Sequence, residues 1–264
     1  SKLNTLTGTN GAYTIVVASG DATSTTAAQL NTLNGKTTVA VDLTNVTALA
    51  GSSLSDLETL ASAINANEFS NDSGLTTIAV TDTTIDATTL ASTIDSYDSI
   101  NSGGTTGMTL ASGASINVDA GEITEMLADE SAGRLTIADQ VITVTGAITV
   151  DNANLLGATT TGKLTATIAT TETVTELATL SADGGTNDLT IVIRAADATV
   201  STAAQLNTIN AATAVAVDAS NVTQITGLAS DFITLYTAGN AGTITNLDAS
   251  ETIILSDTSN TSAS

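Results

Sequence analysis

Short runs of β-branched and aliphatic residues alternate along the chain with stretches whose apolar positions recur at three- and four-residue spacing. The runs at 13–18, 38–42, 76–81, 115–118, 134–138, 141–145, 163–168, 189–194 and 214–218 predict strands. Between most of them, stretches such as 25–34, 53–65, 86–96, 121–130, 171–180 and 201–210 predict helices. Most of these open on Ser, Thr or Asp, whose side chains can cap the first turn. In the first, Ala27, Leu30 and Leu33 trace one helical face, and Ala203, Leu206 and Ile209 repeat it.

That repetition extends much further. Residues 21–51 (DATSTTAAQLNTLNGKTTVAVDLTNVTALAG) match 197–227 (DATVSTAAQLNTINAATAVAVDASNVTQITG) without a gap, at an offset of 176. Upstream, 13–17 (YTIVV) faces 189–193 (LTIVI); downstream, one deletion brings 55–60 (SDLETL) onto 230–235 (SDFITL). The segment 13–60 is thus duplicated as 189–235. The clearest strand-to-strand spacing is 25 residues, from Ile15 to Ala40 and from Ile191 to Ala216.

A repeat of that length holds one strand, one short helix and two turns, too little to bury its own apolar face, so it must stack on its neighbours. Connections this short through a helix require parallel strands and a right-handed crossover. The expected fold is an α/β repeat solenoid with parallel strands and short helices, one elongated repeat domain over 1–264. The alternative is an all-β solenoid in which the Thr-rich helical stretches, weak in propensity, are loops or a third strand. Stretches rich in Asn, Ser and Gly near 66–75 and 99–107 predict irregular, protruding loops.

Composition then narrows the chemistry. Aromatics are only 2% of the 264 residues, so the core must be built from small aliphatic side chains, which suit regular layers. Histidine and cysteine are absent. That excludes a Ser-His-Asp triad, a cysteine nucleophile, an ordinary zinc site and a disulfide framework. A net charge of −22 argues against nucleic acid and anionic membrane surfaces as partners. Apolar runs such as 14–18 and 252–255 are far too short for membrane insertion.

The acidic residues supply the candidate sites. Asp42 and Asp218 close matched strands in V-D-x-x-N-V, followed three residues on by Asn45 and Asn221. Such oxygen ligands suit Ca2+, and stacked repeats could bring successive ones to a single ion. The competing reading is that each Asp caps a helix or closes an Asx-turn, as could Asp82, Asp86, Asp119 and Asp151. Residues 183–189 (DGGTNDL) faintly match a calcium-binding nonapeptide, but once only and without its second glycine spacing. Gly35-Lys36-Thr37 lacks the earlier glycine of a phosphate loop, since Leu30 stands there, and reads as a helix-to-strand turn. The carboxylate pairs Glu122/Glu125 and Asp129/Glu130 have almost no aromatic platform for a sugar and read as solvated helix charges.

The strings 203–210 (AAQLNTIN) and 215–223 (VAVDASNVT) resemble repeat modules of very large cyanobacterial cell-surface proteins. The Thr/Ala/Asp-rich, acidic composition is similar to that of bacterial S-layer proteins and type I-secreted adhesins. The resemblance covers most of the chain and brings no functional residues. It implies an extracellular or cell-surface location and a structural role. The expected function is a repeat protein that self-assembles into a surface layer, fibre or filament, with no enzymatic activity. The alternative is an adhesin or binding-module segment of a giant surface protein. The expected partner is a further copy of the chain, head to tail, because 2–7 resembles the interior stretch 176–181 and 251–255 is apolar, so neither end reads as a cap. A piece cut from a longer repeat array would read the same way.

Overall fold

The computed structural model describes residues 11–101, 104–181, 186–247 and 250–257. The chain divides into two compact units, Ser1–Val141 and Ile142–Ser264.

The first unit runs α1 (Ala27–Asn34), β1 (Val41–Asp42), β2 (Ala48–Ser52), α2 (Leu54–Asn65), β3 (Phe69–Ser70), β4 (Thr77–Val80), β5 (Thr84–Asp86), α3 (Ala87–Ile100), β6 (Gly107–Thr109), β7 (Ser115–Asp119), α4 (Ile123–Ser131) and β8 (Leu135–Thr136). Its longest ladder is β2-β4-β6-β8, with β1-β3 and β5-β7 beside it. The helices pack in sequence, α1 on α2, α2 on α3 and α3 on α4.

β9 (Val141–Ile148) opens on the last residue of the first unit. The second unit continues through α5 (Val150–Thr159), β10 (Leu164–Ile168), α6 (Val174–Leu177), β11 (Asp188–Thr190), β12 (Ser201–Thr202), α7 (Ala203–Ala211), β13 (Val217–Asp218), β14 (Gln224–Gly227), α8 (Ala229–Ala241), β15 (Ile244–Thr245) and β16 (Thr252–Leu255). Its ladders are β9-β10-β11, β12-β14-β16 and β13-β15.

Every strand pair described is parallel. The class is therefore α/β, and the eight helices among the described residues exclude the all-β alternative. The core is aliphatic: Leu30, Leu57, Leu60, Ile78, Ile116 and Ile123 are fully buried, with Tyr97 the largest side chain among them.

The duplicated segments share a set of equivalent hydrogen bonds. Val17 N donates to Asp42 O, and Ile193 N to Asp218 O. The Thr25 hydroxyl donates to Asp21 O at 2.8 Å, and Ser201 to Asp197 O at 3.0 Å. Thr26 and Gln29 form a capping box on α1; Thr202 and Gln205 form its copy on α7. The buried Thr37 and Thr213 hydroxyls donate to Tyr13 O and Leu189 O.

The copies extend beyond the stretch that sequence matching identified. The 66–75 stretch, expected as a loop, holds β3, and Phe69 is buried there. Asn67 and Gly242 both end their helix with positive φ, at 59° and 75°, and Asn71 and Asn246 follow at 57° and 62°. Asn and Gly reach this left-handed region more readily than other residues. The polar composition therefore encodes two sharp turns around a short strand rather than a mobile loop. The 99–107 stretch is split between the end of α3 and the start of β6, with 102–103 outside the described residues.

Candidate functional site

The V-D-x-x-N-V turns come first. Asp42 Oδ1 accepts from Thr44 N at 2.9 Å, from the Thr44 hydroxyl at 2.6 Å and from Asn71 Nδ2 at 3.0 Å. Asp218 Oδ1 accepts from Ser220 N at 2.9 Å and from Asn246 Nδ2 at 2.8 Å. Asn45 and Asn221 point their amides elsewhere, donating to Val17 O and Ile193 O, both at 2.8 Å. Each turn thus ties three successive strand segments together. The Thr44 hydroxyl, then the Asn71 amide, holds the Asp42 carboxyl below the usual carboxylate range. The Asn246 amide, then Ser220 N–H, does the same for Asp218. The donors converging on each Oδ1 make both turns Asx-turns, the role weighed against calcium ligation. Among the described residues, no three acidic side chains come together in a metal-ligating group. Residues 182–185, which include Asp183, Gly184 and Gly185 of the glycine-rich nonapeptide match, lie outside the described residues.

A second set of acidic residues caps helices across the repeat. An α-helix leaves its first N–H groups without intrahelical partners, and a carboxylate there also complements the helix dipole. In six of the eight described helices the preceding residue satisfies one donor: Thr26, Ser53, Asp86, Thr149, Thr173 and Thr202 each accept from the third helical N–H. In five helices a side chain 22–28 residues further along the chain satisfies another. Leu54 N donates to Asp82 at 2.8 Å, Val174 N to Asp197 at 2.7 Å and Ala229 N to Asp257 at 2.8 Å. Glu172 reaches Val150 N at 3.4 Å, and the Ser52 hydroxyl reaches Ala27 N at 2.9 Å. Asp197 is also held by Arg194, at 2.9 Å from Nε.

Of the Glu122/Glu125 and Asp129/Glu130 carboxylates, the first three rim a groove of ≈ 210 Å3 between α3 and α4, floored by Leu90, Ile94 and Met126. Glu122 accepts from the Thr88 hydroxyl and from Asp119 N. Asp129 is only 3% exposed and pairs with Arg134 at 2.7 Å, while Arg134 also reaches Asp98 at 3.0 Å. Burial pushes the Asp129 carboxyl up and Arg134 pulls it back. Glu122 and Asp129 are thus held in place by partners within the fold.

The features that residue patterns missed are apolar. Ala229, Phe232, Ile233 and Tyr236 of α8, with Ile253 and Leu255 of β16, line an open depression of ≈ 400 Å3. The apolar run at 252–255 was visible in sequence; its exposure was not. No helix among the described residues is long and apolar enough to cross a membrane. Comparison of the chain with protein-family models, curated proteins and solved structures finds no match.

Proposed function

We propose that the chain is an extracellular structural repeat protein, a parallel α/β solenoid that self-assembles into a surface layer, fibre or filament. The observation that carries this reading is how one repeat holds the next. Strand edges pair in parallel between successive repeats, and the first N–H of five helices is capped by a side chain 22–28 residues further on. A repeat built this way finds its stability in its neighbours, so the construction favours adding more of the same. The polar groups with the strongest geometry are occupied in holding repeats together, which supports a structural role over catalysis. The acidic, Cys-free composition and the resemblance to surface-protein repeats support an extracellular location.

Electron microscopy and sedimentation of the purified chain, across salt and with or without calcium, test the proposal. Ordered filaments or sheets are expected. A strictly monomeric species at high concentration under all these conditions overturns it.

A further inference from the structure

The duplication allows the same position to be compared in two settings. Ile78 and Val80 of β4 lie between β2 and β6 and are 0% and 2% exposed. Their counterparts in the second copy, Ile253 and Leu255 of β16, pair with β14 on one side and are 48% and 60% exposed. The reverse holds at the other edge. Leu189 lies in β11 against β10 and is 2% exposed, whereas its counterpart Tyr13 is 42% exposed. Each bare surface therefore has, within this chain, a counterpart that shows what covers it: a parallel strand of the same repeat type.

We infer that the bare face of β16, with the edge of β15 away from β13, binds the bare upstream edge around Tyr13 of a second copy of this chain. The incoming segment 13–17 extends the β13-β15 ladder, as β1 follows 13–17 through the parallel bridge of Val16 to Asp42. The chain that follows it then lies across Ile253 and Leu255. The two surfaces are different, so the contact is heterologous: every added copy presents a fresh downstream face, and growth continues unless a ring closes. The chain carries −22 net charge, so the contact needs enough salt to screen repulsion between copies. This inference rests on the self-assembly reading and assigns it a surface.

Two variants test it, Ile253→Asp for the downstream face and Tyr13→Asp for the upstream edge. Both sites are solvent-exposed in the isolated chain, so each variant is expected to keep the wild-type far-ultraviolet circular dichroism; Leu255→Asp is the substitute should Ile253→Asp fail to fold. By sedimentation at physiological or higher ionic strength, wild-type mass is expected to rise with concentration while each variant stays monomeric. An equimolar mixture of the two is expected to form a dimer that grows no further, since one partner retains a good face and the other a good edge. Leu155→Asp, an exposed apolar site on α5, is expected to assemble as wild type. If both variants assemble as wild type does, the surface assignment is overturned while the self-assembly reading stands. A mixture that stays monomeric overturns the heterologous contact. A wild-type chain that never associates, as when its own terminal segments cover these faces, overturns both.

Discussion

Asp129 and Arg134 show how one residue changes the meaning of another. Arg134 follows the positive-φ Gly133 after α4 and reaches both Asp129 and Asp98, so its guanidinium neutralises a carboxylate that is almost fully buried. Removing one partner of such a pair leaves an uncompensated charge, and Arg134→Ala is expected to cost about 3 kcal/mol at neutral pH. Burial sets the folded pKa of Asp129 above its unfolded value, so its ionised form opposes folding and that penalty fades as pH falls through the folded pKa. The deficit of Arg134→Ala should therefore shrink on acidification, as the orphaned carboxyl, pushed up by burial, takes up its proton. Urea unfolding of variant and wild type over a pH series measures this, and a pH-independent deficit contradicts it. Asp42, Asp218, Asp139 and Glu176 behave oppositely: hydrogen bonds hold their carboxyls down, so their contribution is present above the unfolded pKa and is lost as pH falls through the lowered folded one.

Among the elements, local and distant capping separate what a sequence can display. Ser53 and Asp86 are legible as caps because the cap and the donor it serves lie three residues apart, and Thr26 and Thr202 cap one residue inside the expected helix starts at 25 and 201. Asp82 is expected as a cap, but the helix it serves cannot be read for it or for Asp257, since their donors lie 28 residues back. Asp82→Ala is expected to destabilise the fold by about 1 kcal/mol, and Asp82→Asn by less because the amide oxygen still accepts. The exposed mid-helix Glu58→Ala is the control, expected within about 0.5 kcal/mol of wild type. Urea midpoints at constant slope measure all three; equal effects at Asp82 and Glu58 contradict the capping role. The same contrast explains the elements that pattern reading passed over. α5 contains Asn152, Asn154 and Gly157, poor helix formers, yet Val150, Ala153 and Leu156 are buried and hold it in place. β2 (ALAGS) has no β-branched residue and is a strand because β4 pairs with it, while β14 has only Ile225-Thr226 and is a strand because β12 and β16 flank it.

For the whole molecule, charge is the dominant variable. With 27 acidic and 5 basic side chains, repulsion opposes the compact state, and the melting temperature is expected to rise with ionic strength. Calcium provides a sharper measurement. Asp42 and Asp218 already accept from N–H donors, so any gain in melting temperature from millimolar calcium over EDTA, at matched ionic strength, is expected to be the same in wild type and in the Asp42→Asn, Asp218→Asn double variant. A gain that disappears in the double variant would instead place the ion at those turns.

The duplication, the strand–helix rhythm, the parallel sense of the strands and the aliphatic core were all legible in the sequence. Each follows from local periodicity, from connection length or from composition, which a linear string carries in full. Tertiary structure decided the rest. It turned the Asn-rich stretch at 66–75 into a strand between two left-handed residues, because a partner strand was there to receive it. It assigned Asp42 to a turn that Asn71 completes from the next repeat, and Asp82 to a helix start on the previous one. It also decided that Ile253 is bare where Ile78 is buried. The two occupy equivalent places in the duplicated segments, and among the described residues β4 has strands on both sides where β16 has one.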